Sequence, residues 1–548
     1  MTERRRSLWA WGWRDKFPDD AARKGLAQMI GALLPVARPA LRALPSETPS
    51  VPAPAVSVPD ALAALATQAP YDRAARTRGR AFVDLVRGLA GDYTGAPDLV
   101  ARPRDASEVV RVLAECDARG WAVVPFGGGT SVVQGVDSAL ARRGAGGAGG
   151  AGNANNAGDA AADRPVVSLD LGALAGVAEV DATSRLARIG GGTLGPRLED
   201  ELAPHGLTLR HFPQSFEFST LGGWLATRAG GHYATGPTHI DDHCHAVTLV
   251  SPAGTLATHR HPASGAGPEP LRLVVGSEGA LGVITEAWMR VVPRPRWRAS
   301  ASIAFARFDD GVAAARALAQ SGLSPANARL LDPDEARLHR VRFDGTAVLL
   351  VGFESADHPL SAWLARALEL ARDHGGQVVS GPTEKDDAAR TGAAGAWRQA
   401  FFDAPYLQSA LLSIGVLSDT FETACTWTQF PELHARVVAA VSRALDEECG
   451  GGTVACRFTH VYPDGPAPYY TFVGPAKPGG ELAQWRAIKA AAAEALAAAG
   501  GTITHHHAVG RLHRPWYDRE RPALFGAALA DVKRTLDPRG IMNPGVLV

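Results

Sequence analysis

Pro125-Phe126-Gly127-Gly128-Gly129-Thr130-Ser131 follows the apolar run Trp121-Ala122-Val123-Val124 and stacks three glycines against two hydroxyl residues. Glycines let the backbone approach an anion and turn successive N–H groups onto phosphate oxygens, while Thr130 and Ser131 add hydroxyl donors. A lone glycine triplet is equally well a tight turn between core strands. Two further segments bear on the choice. One is Gln214-Ser215-Phe216-Glu217-Phe218-Ser219-Thr220, continuing through Leu221-Gly222-Gly223-Trp224 to Thr227-Arg228-Ala229-Gly230-Gly231. The other is Gly276-Ser277-Glu278-Gly279-Ala280-Leu281-Gly282-Val283-Ile284-Thr285-Glu286.

In this order the three segments resemble the FAD-binding elements of the vanillyl-alcohol oxidase superfamily, whose cofactor domain is called PCMH-type. The resemblance runs from about residue 98 to about residue 293, with further matches towards the C-terminus. It implies an α+β chain: a two-subdomain PCMH-type FAD-binding domain, an α+β cap domain and a helical N-terminal arm. The boundaries read as arm and linker 1–93, FAD domain 94–295, cap 296–504, and a C-terminal segment 505–548 returning to the flavin. The implied cofactor residues are Pro125 to Ser131, then Gln214 to Thr220 with Thr227, Arg228, Ala229 and Gly230, Arg228 reading equally as a surface or interdomain ion pair. Glu278 to Ile284 closes over the cofactor, and Asn543 lies near the ring. In relatives that attach flavin covalently, the commonest attachment histidine sits in the first glycine loop. Gly127-Gly128-Gly129-Thr130 has none, so noncovalent FAD is expected.

Composition fits a large soluble enzyme. The 548 residues are 46% hydrophobic, enough for more than one core. Lys+Arg and Asp+Glu are both 56, so no basic field gathers nucleic acid. Cys116, Cys244, Cys425, Cys449 and Cys456 form no C-x-x-C pair, and a reducing cytoplasm is the natural compartment. Residues 29–37, interrupted by Pro35, fall short of the ~20 needed to span a bilayer. The expected partners are a small-molecule or lipid-like substrate, a peripheral membrane surface and a second copy in a homodimer.

Along the chain, helical patterns occupy 22–34 and 80–89 around a Pro-rich linker at 45–59. Residues 107–118 read as a helix, 166–169 and 186–189 as strands, and the Gly/Ala/Asn tract 143–163 as a surface insertion. Gly190-Gly191-Gly192-Thr193-Leu194-Gly195 satisfies G-x-G-x-x-G, with Glu217 further on. It sits in mid-domain, however, and reads as a strand-to-helix turn rather than a nicotinamide site. Strands at 302–306, 347–353 and 377–380 and helices at 310–321, 362–374 and 433–448 compose the cap.

Within the cap, a strand through Thr504-His505-His506-His507 would put His505 and His507 on one face. Such an H-x-H pair suits a metal, and Asp241, Asp242, His243 and His245 form a second mixed cluster. The same imidazoles serve acid–base chemistry without a metal, which is the reading preferred. Tyr469 is expected to face the cleft, and Tyr470 and Phe472 the core.

The histidine triplet, the Tyr469 segment, Glu217-Phe218-Ser219-Thr220 and the Trp-rich start resemble the alkylglycerone-phosphate synthases of ether-lipid synthesis. The resemblance implies catalytic roles for Tyr469, His505, His506 and His507. It also implies exchange of the acyl group of an acyl-dihydroxyacetone phosphate for a fatty alcohol through a flavin N5 adduct, with no net redox change. The departure is Gln408, standing where the synthases carry a cap arginine. A neutral amide there forgoes a charge-assisted contact of roughly 1.5–3 kcal/mol. Gln408 and Arg457 are the substrate-side candidates, and Arg329, Arg511 and Arg514 are further sources of positive charge. Two alternatives stay open: an FAD-dependent oxidase or dehydrogenase of a 2-hydroxy acid or other alcohol, and a non-catalytic flavin-binding protein.

Overall fold

The computed structural model describes residues 5–34, 36–143, 163–386 and 404–548, with backbone alone over 382–386. The expected insertion therefore lies, apart from its two end residues, outside the described residues.

Strand Ala122–Phe126, which leads into the first glycine loop, runs parallel to Val166–Asp170, itself parallel to Leu99–Ala101. All five residues of Val166–Asp170 are buried, as the centre of a covered parallel sheet demands. Helix Ala106–Arg119 packs on this sheet. Its N-cap Asp105 accepts from the Glu108 N–H, it buries Val109, Val112, Leu113 and Cys116 along one stripe, and Gly120 ends it at φ 69°.

The second subdomain is a five-stranded antiparallel sheet in the spatial order Val177–Asp181, Leu186–Gly190, Val283–Arg290, Cys244–Ser251, Gly254–Ala257. Helix Gly195–Leu202 follows Leu186–Gly190, so the G-x-G-x-x-G stretch is the strand-to-helix turn expected. Its glycines serve packing: Gly190, Gly191 and Gly192 lie flush against the carbonyl oxygens of Leu174, Ile284 and Leu171.

The cap is a seven-stranded sheet, antiparallel at every pairing. Helices Phe308–Gln320 and Ser361–Asp373 cover one half of it, and Phe430–Cys449 and Glu481–Ala498 the other. Its last three strands set the site. Pro466–Pro475 pairs with Val416–Glu422 on one side and Thr453–Val461 on the other, placing Glu422, Tyr469 and Arg457 in one cross-strand row. The neighbouring row of Phe421, Tyr470 and Cys456 points into the core, as a period of two requires.

The arm is less purely helical than expected. Helices Asp20–Leu33 and Phe82–Leu89 form, but Ala66–Thr67 adds an edge strand to the first sheet. Trp9 and Trp11 are buried, and Phe82 stacks on Trp485 of the cap at 5.9 Å. The chain's end returns to the first sheet, with Val123 N–H donating to Ile541 O and Asn543 N–H to Val123 O, each at 2.8 Å.

Close packing of the glycine loop makes its glycines irreplaceable on steric grounds. A methyl on Gly128 would overlap the Phe218 carbonyl, whereas one on Gly120 meets nothing within 4 Å and carries only the cost of its left-handed φ. We expect Gly128→Ala to lose about 3 kcal/mol in urea unfolding and Gly120→Ala about 1 kcal/mol. Equal losses would contradict this packing.

Candidate active site

The glycine loop, the second segment and the third line one side of a cleft with about 2270 Å³ of empty space, mouth included. The cap strands line the other side. Gly127 packs on the Thr220 hydroxyl, Gly128 on the Phe218 carbonyl, and Gly129, at φ 65°, on the Phe126 ring. Side chains at these positions would collide with Thr220, Phe218 and Phe126, so only glycine lets the loop hold this shape.

Of the cofactor residues expected, Pro125, Gly127 to Ser131, Gln214, Ser215, Ser219, Thr220, Thr227, Ala229 and Gly230 line the cleft. So do Glu278, Gly279, Gly282, Val283 and Ile284. Eight others do not, each for a visible reason. Phe126 is folded under Gly129. Phe216 stacks on Trp224 at 6.2 Å. Glu217 accepts from Trp13 Nε1 at 2.6 Å and from Tyr406 Oη at 3.1 Å. Phe218, Ala280 and Leu281 are buried in the packing behind the cleft. Arg228, at φ 50°, turns outward to Asp241 at 3.2 Å and is 57% exposed. Asn543 is a brace: its Nδ2 donates to Gly135 O and Glu278 O, and its Oδ1 accepts from Arg511.

The cation beside the glycine loop comes instead from the arm. Arg6 Nη1 donates to Gly128 O at 2.6 Å and the guanidinium lies 4.9 Å over the Phe218 ring. Burial, with Arg80 and Arg76 nearby, pulls its pKa down to about 9. Glu278 accepts from the N–H groups of Val509 and Gly510, but burial outweighs them and pushes its pKa up to about 7.

On the cap side, Tyr469 faces the cleft and donates to Thr420 Oγ1 at 2.9 Å, with the Arg457 guanidinium 3.9 Å over its ring. Arg457 is paired with the fully buried Glu335. Arg329 also lines the cleft and donates to His232 O at 2.9 Å. Arg511 and Arg514 bind elsewhere, to Asn543 and Asp518. Gln408 lines the cleft with its amide fully engaged: Trp11 Nε1 donates to its Oε1, and its Nε2 donates to Ser418 O and Asp419 Oδ1. Lys489, which sequence reasoning did not single out, also lines the cleft and donates to Thr420 O at 2.7 Å.

The histidines do not form a strand. Residues 505–507 are successive bends wrapped around one buried carboxylate, Glu422, which accepts the backbone N–H groups of His505, His506 and His507 and the Thr504 hydroxyl. Strand alternation is lost because three amides turn to the same acceptor. Burial alone would raise the Glu422 pKa, but His506, His507 and His505 and these donors hold it well below the carboxylate range. His506 and His507 line the cleft beside Tyr469, with ring centroids 6.0 Å and 5.5 Å away. Burial lowers their pKa values to about 3 and about 4, leaving them neutral bases. His505 stands behind them, its Nε2 2.8 Å from Tyr462 Oη.

The H-x-H metal pair is not what forms. The ring nitrogens that converge belong to His460, His505 and His506, within 4.8 Å of one another. Those of His460 and His505 already have hydrogen-bond partners, which argues for a proton network over a ligand set. In the other cluster, Asp241 is tied to Arg228 and Arg272.

The chain is similar to several known proteins. The FAD binding domain model matches residues 148–259, and that of the C-terminal domain of FAD linked oxidases matches 294–547. The first glycine loop lies ahead of both matches. The alkyldihydroxyacetonephosphate synthase of Dictyostelium discoideum is 28% identical over 504 residues, covering 87% of this chain and 77% of its own. That of Caenorhabditis elegans is 28% identical, covering 87% and 80%. A solved alkyldihydroxyacetonephosphate synthase superposes with a TM-score of 0.77 at 24% identity over 98% of this chain and 97% of its own.

Glu422→Gln would turn an amide N–H₂ onto donors that need an acceptor, at a cost of about 3 kcal/mol at neutral pH. Because the folded carboxyl titrates below its ordinary 4.5, the stabilisation is present above that pH and lost as pH falls beneath it. The gap in urea midpoint between parent and variant should therefore close in acid. A gap independent of pH would contradict the clamp.

Proposed function

We propose that this chain, an FAD-dependent enzyme of the PCMH type, exchanges the acyl group of an acyl-dihydroxyacetone phosphate for a fatty alcohol. The observation that carries the reading is the convergence of Tyr469, His506 and His507 on one wall of the cleft, opposite the glycine loops and above Arg457. The cradle fits FAD: glycines where side chains would collide, hydroxyls at Thr130 and Ser131, and the Arg6 cation suit a pyrophosphate.

In this reading Arg329, Arg457 and Lys489 give the cap wall the positive charge that a substrate phosphate needs, with Gln408 a neutral neighbour. A proton on C1, acidified by the adjacent carbonyl, leaves to a neutral imidazole, and the electron pair passes onto the carbonyl oxygen. FAD bound in this cradle would supply an electron-deficient ring facing the Tyr469 and His506 wall. The Tyr469 phenol, kept protonated as burial raises its pKa, is held at the cleft wall by its bond to Thr420 Oγ1. Trp11 closes the arm side of the cleft.

The reading extends to a cytoplasmic enzyme that meets lipid-like substrates at a membrane surface. Five unpaired cysteines support the compartment. Exposed Leu524 and Phe525, with Arg521 adjacent, support the surface contact. Among the described residues no helix is long and apolar enough to cross a membrane.

The decisive experiment incubates the FAD-loaded enzyme anaerobically with acyl-dihydroxyacetone phosphate and deuterated fatty alcohol. Label in an ether-linked product, with the flavin spectrum oxidised at the end, is the expected result. Full bleaching by 2-hydroxy acids with no label transferred would make the protein a dehydrogenase instead.

A further inference from the structure

Behind His506 lies a run of side chains whose proton positions one carbonyl settles. His239 Nε2 is 2.9 Å from the backbone oxygen of His505. A carbonyl only accepts, so His239 carries its proton on Nε2, and the neutral ring leaves Nδ1 as an acceptor. Thr238 Oγ1, 3.2 Å from that Nδ1, therefore donates to it and accepts from Tyr462 Oη at 2.9 Å. Tyr462, its proton so committed, accepts from His505 Nε2 at 2.8 Å. His505 Nδ1 is then the acceptor for His506 Nδ1 at 3.0 Å. Each assignment forces the next, and the last fixes His506 as the Nδ1–H tautomer, with its Nε2 lone pair left over in a ring that lines the cleft.

Resting on the reading of the function above, we propose that His506 takes the substrate proton on Nε2 and that His505, Tyr462 and Thr238 relay a proton from it to His239. The steps balance. The C1–H bond breaks, its electron pair passes into the C1–C2 bond and onto the carbonyl oxygen, and the proton joins His506 Nε2. The His506 Nδ1 proton moves to His505 Nδ1, the His505 Nε2 proton to Tyr462, the phenol proton to Thr238, and the Thr238 proton to His239 Nδ1. No charge remains in the cleft wall. The imidazolium forms on His239, which is half-buried rather than sealed, and Asp242, whose carboxylate is 3.3 Å from the His239 backbone nitrogen, stands beside it. Run backwards, the chain returns a proton to carbon. His507 faces a different group: its Nδ1 is 3.6 Å from Glu422, whose oxygens are already occupied by backbone donors.

Three features single out a relay from a merely packed cluster. His505 is bonded at both ring nitrogens, the only way an imidazole passes a proton through itself. Every link is 3.2 Å or shorter. The path also leaves the cleft, which His506 lines and His505, Tyr462, Thr238 and His239 do not. Tyr462 and Thr238 are positioning residues in this scheme; only His506 touches the reacting atoms.

The test follows loss of deuterium from C1-deuterated acyl-dihydroxyacetone phosphate to water, in FAD-loaded full-length enzyme without fatty alcohol. His506→Gln should abolish it. Tyr462→Phe and Thr238→Val, which remove only hydroxyls, should slow it by about tenfold or more with KM for the acyl substrate unchanged, and Thr238→Ser should restore what Thr238→Val loses. Parent-like exchange in Tyr462→Phe and Thr238→Val, or exchange surviving His506→Gln, would overturn the relay while leaving the synthase reading intact. A parent enzyme that neither exchanges C1 deuterium nor consumes the acyl substrate with alcohol present would overturn both, so the two failures are told apart.

Discussion

One buried carboxylate organises the catalytic wall. Glu422 ends a cap strand, and its register opposite Tyr469 places it under the point where the C-terminal segment crosses the cleft. An ionised carboxylate in that position is costly unless several donors converge on it. Three consecutive backbone amides and the Thr504 hydroxyl do so. The consequence is geometrical: a chain that turns three N–H groups inward must turn its side chains outward together. His506 and His507 thereby reach the cleft, and His505 is pushed behind them against Tyr462. The negative charge beneath also offsets part of what burial takes from the basicity of the imidazoles, so the same group that shapes the triplet tunes it.

The arm imposes a second constraint of the same kind. Arg6 caps the glycine loop, Trp11 anchors Gln408 and Trp13 anchors Glu217, so residues next to the N-terminus touch both the flavin domain and the cap. Glu217 belongs to the second glycine-rich segment, yet its carboxylate is spent on holding the arm and Tyr406. Cofactor cradle and substrate wall are thus tied by the same strap of aromatic residues. An arm that detached would open the cleft and remove the cation from the glycine loop together.

What was legible in the sequence was what is local. The glycine loops could be read because close backbone approach leaves only glycine, and Tyr469 could be assigned to the cleft because strand period sends alternate residues to opposite faces. Two of the departures concern partners far away in the chain. Arg228 carries the right charge in the right segment, but its left-handed turn aims it at Asp241, and the charge beside the loop arrives from Arg6, 122 residues upstream of Gly128. The histidine alternation failed because Glu422, 83 residues before His505, overrode it. No local pattern marks a glutamate that will be buried under three amides. Tyr462, Thr238 and His239 were invisible for the same reason.

Gln408 gains a physical meaning from its surroundings. Its side chain is held at both ends, by Trp11 Nε1 and by Asp419, in a geometry that suits a group able to donate and accept at once. A guanidinium offers no acceptor, so an arginine there could not accept the Trp11 indole N–H. The amide is accordingly a matched part of the strap rather than a truncated cation. The positive charge on the cap wall then rests on Arg329, Arg457 and Lys489. Arg457 is pinned by Glu335, whose pKa it helps depress to about 2 against the pull of burial. Burial, with Arg457 nearby, lowers Arg329 to about 9, still cationic at neutral pH. Arg329 and Arg457 line the cleft from adjacent cap strands, so an anion entering it meets both guanidinium groups side by side.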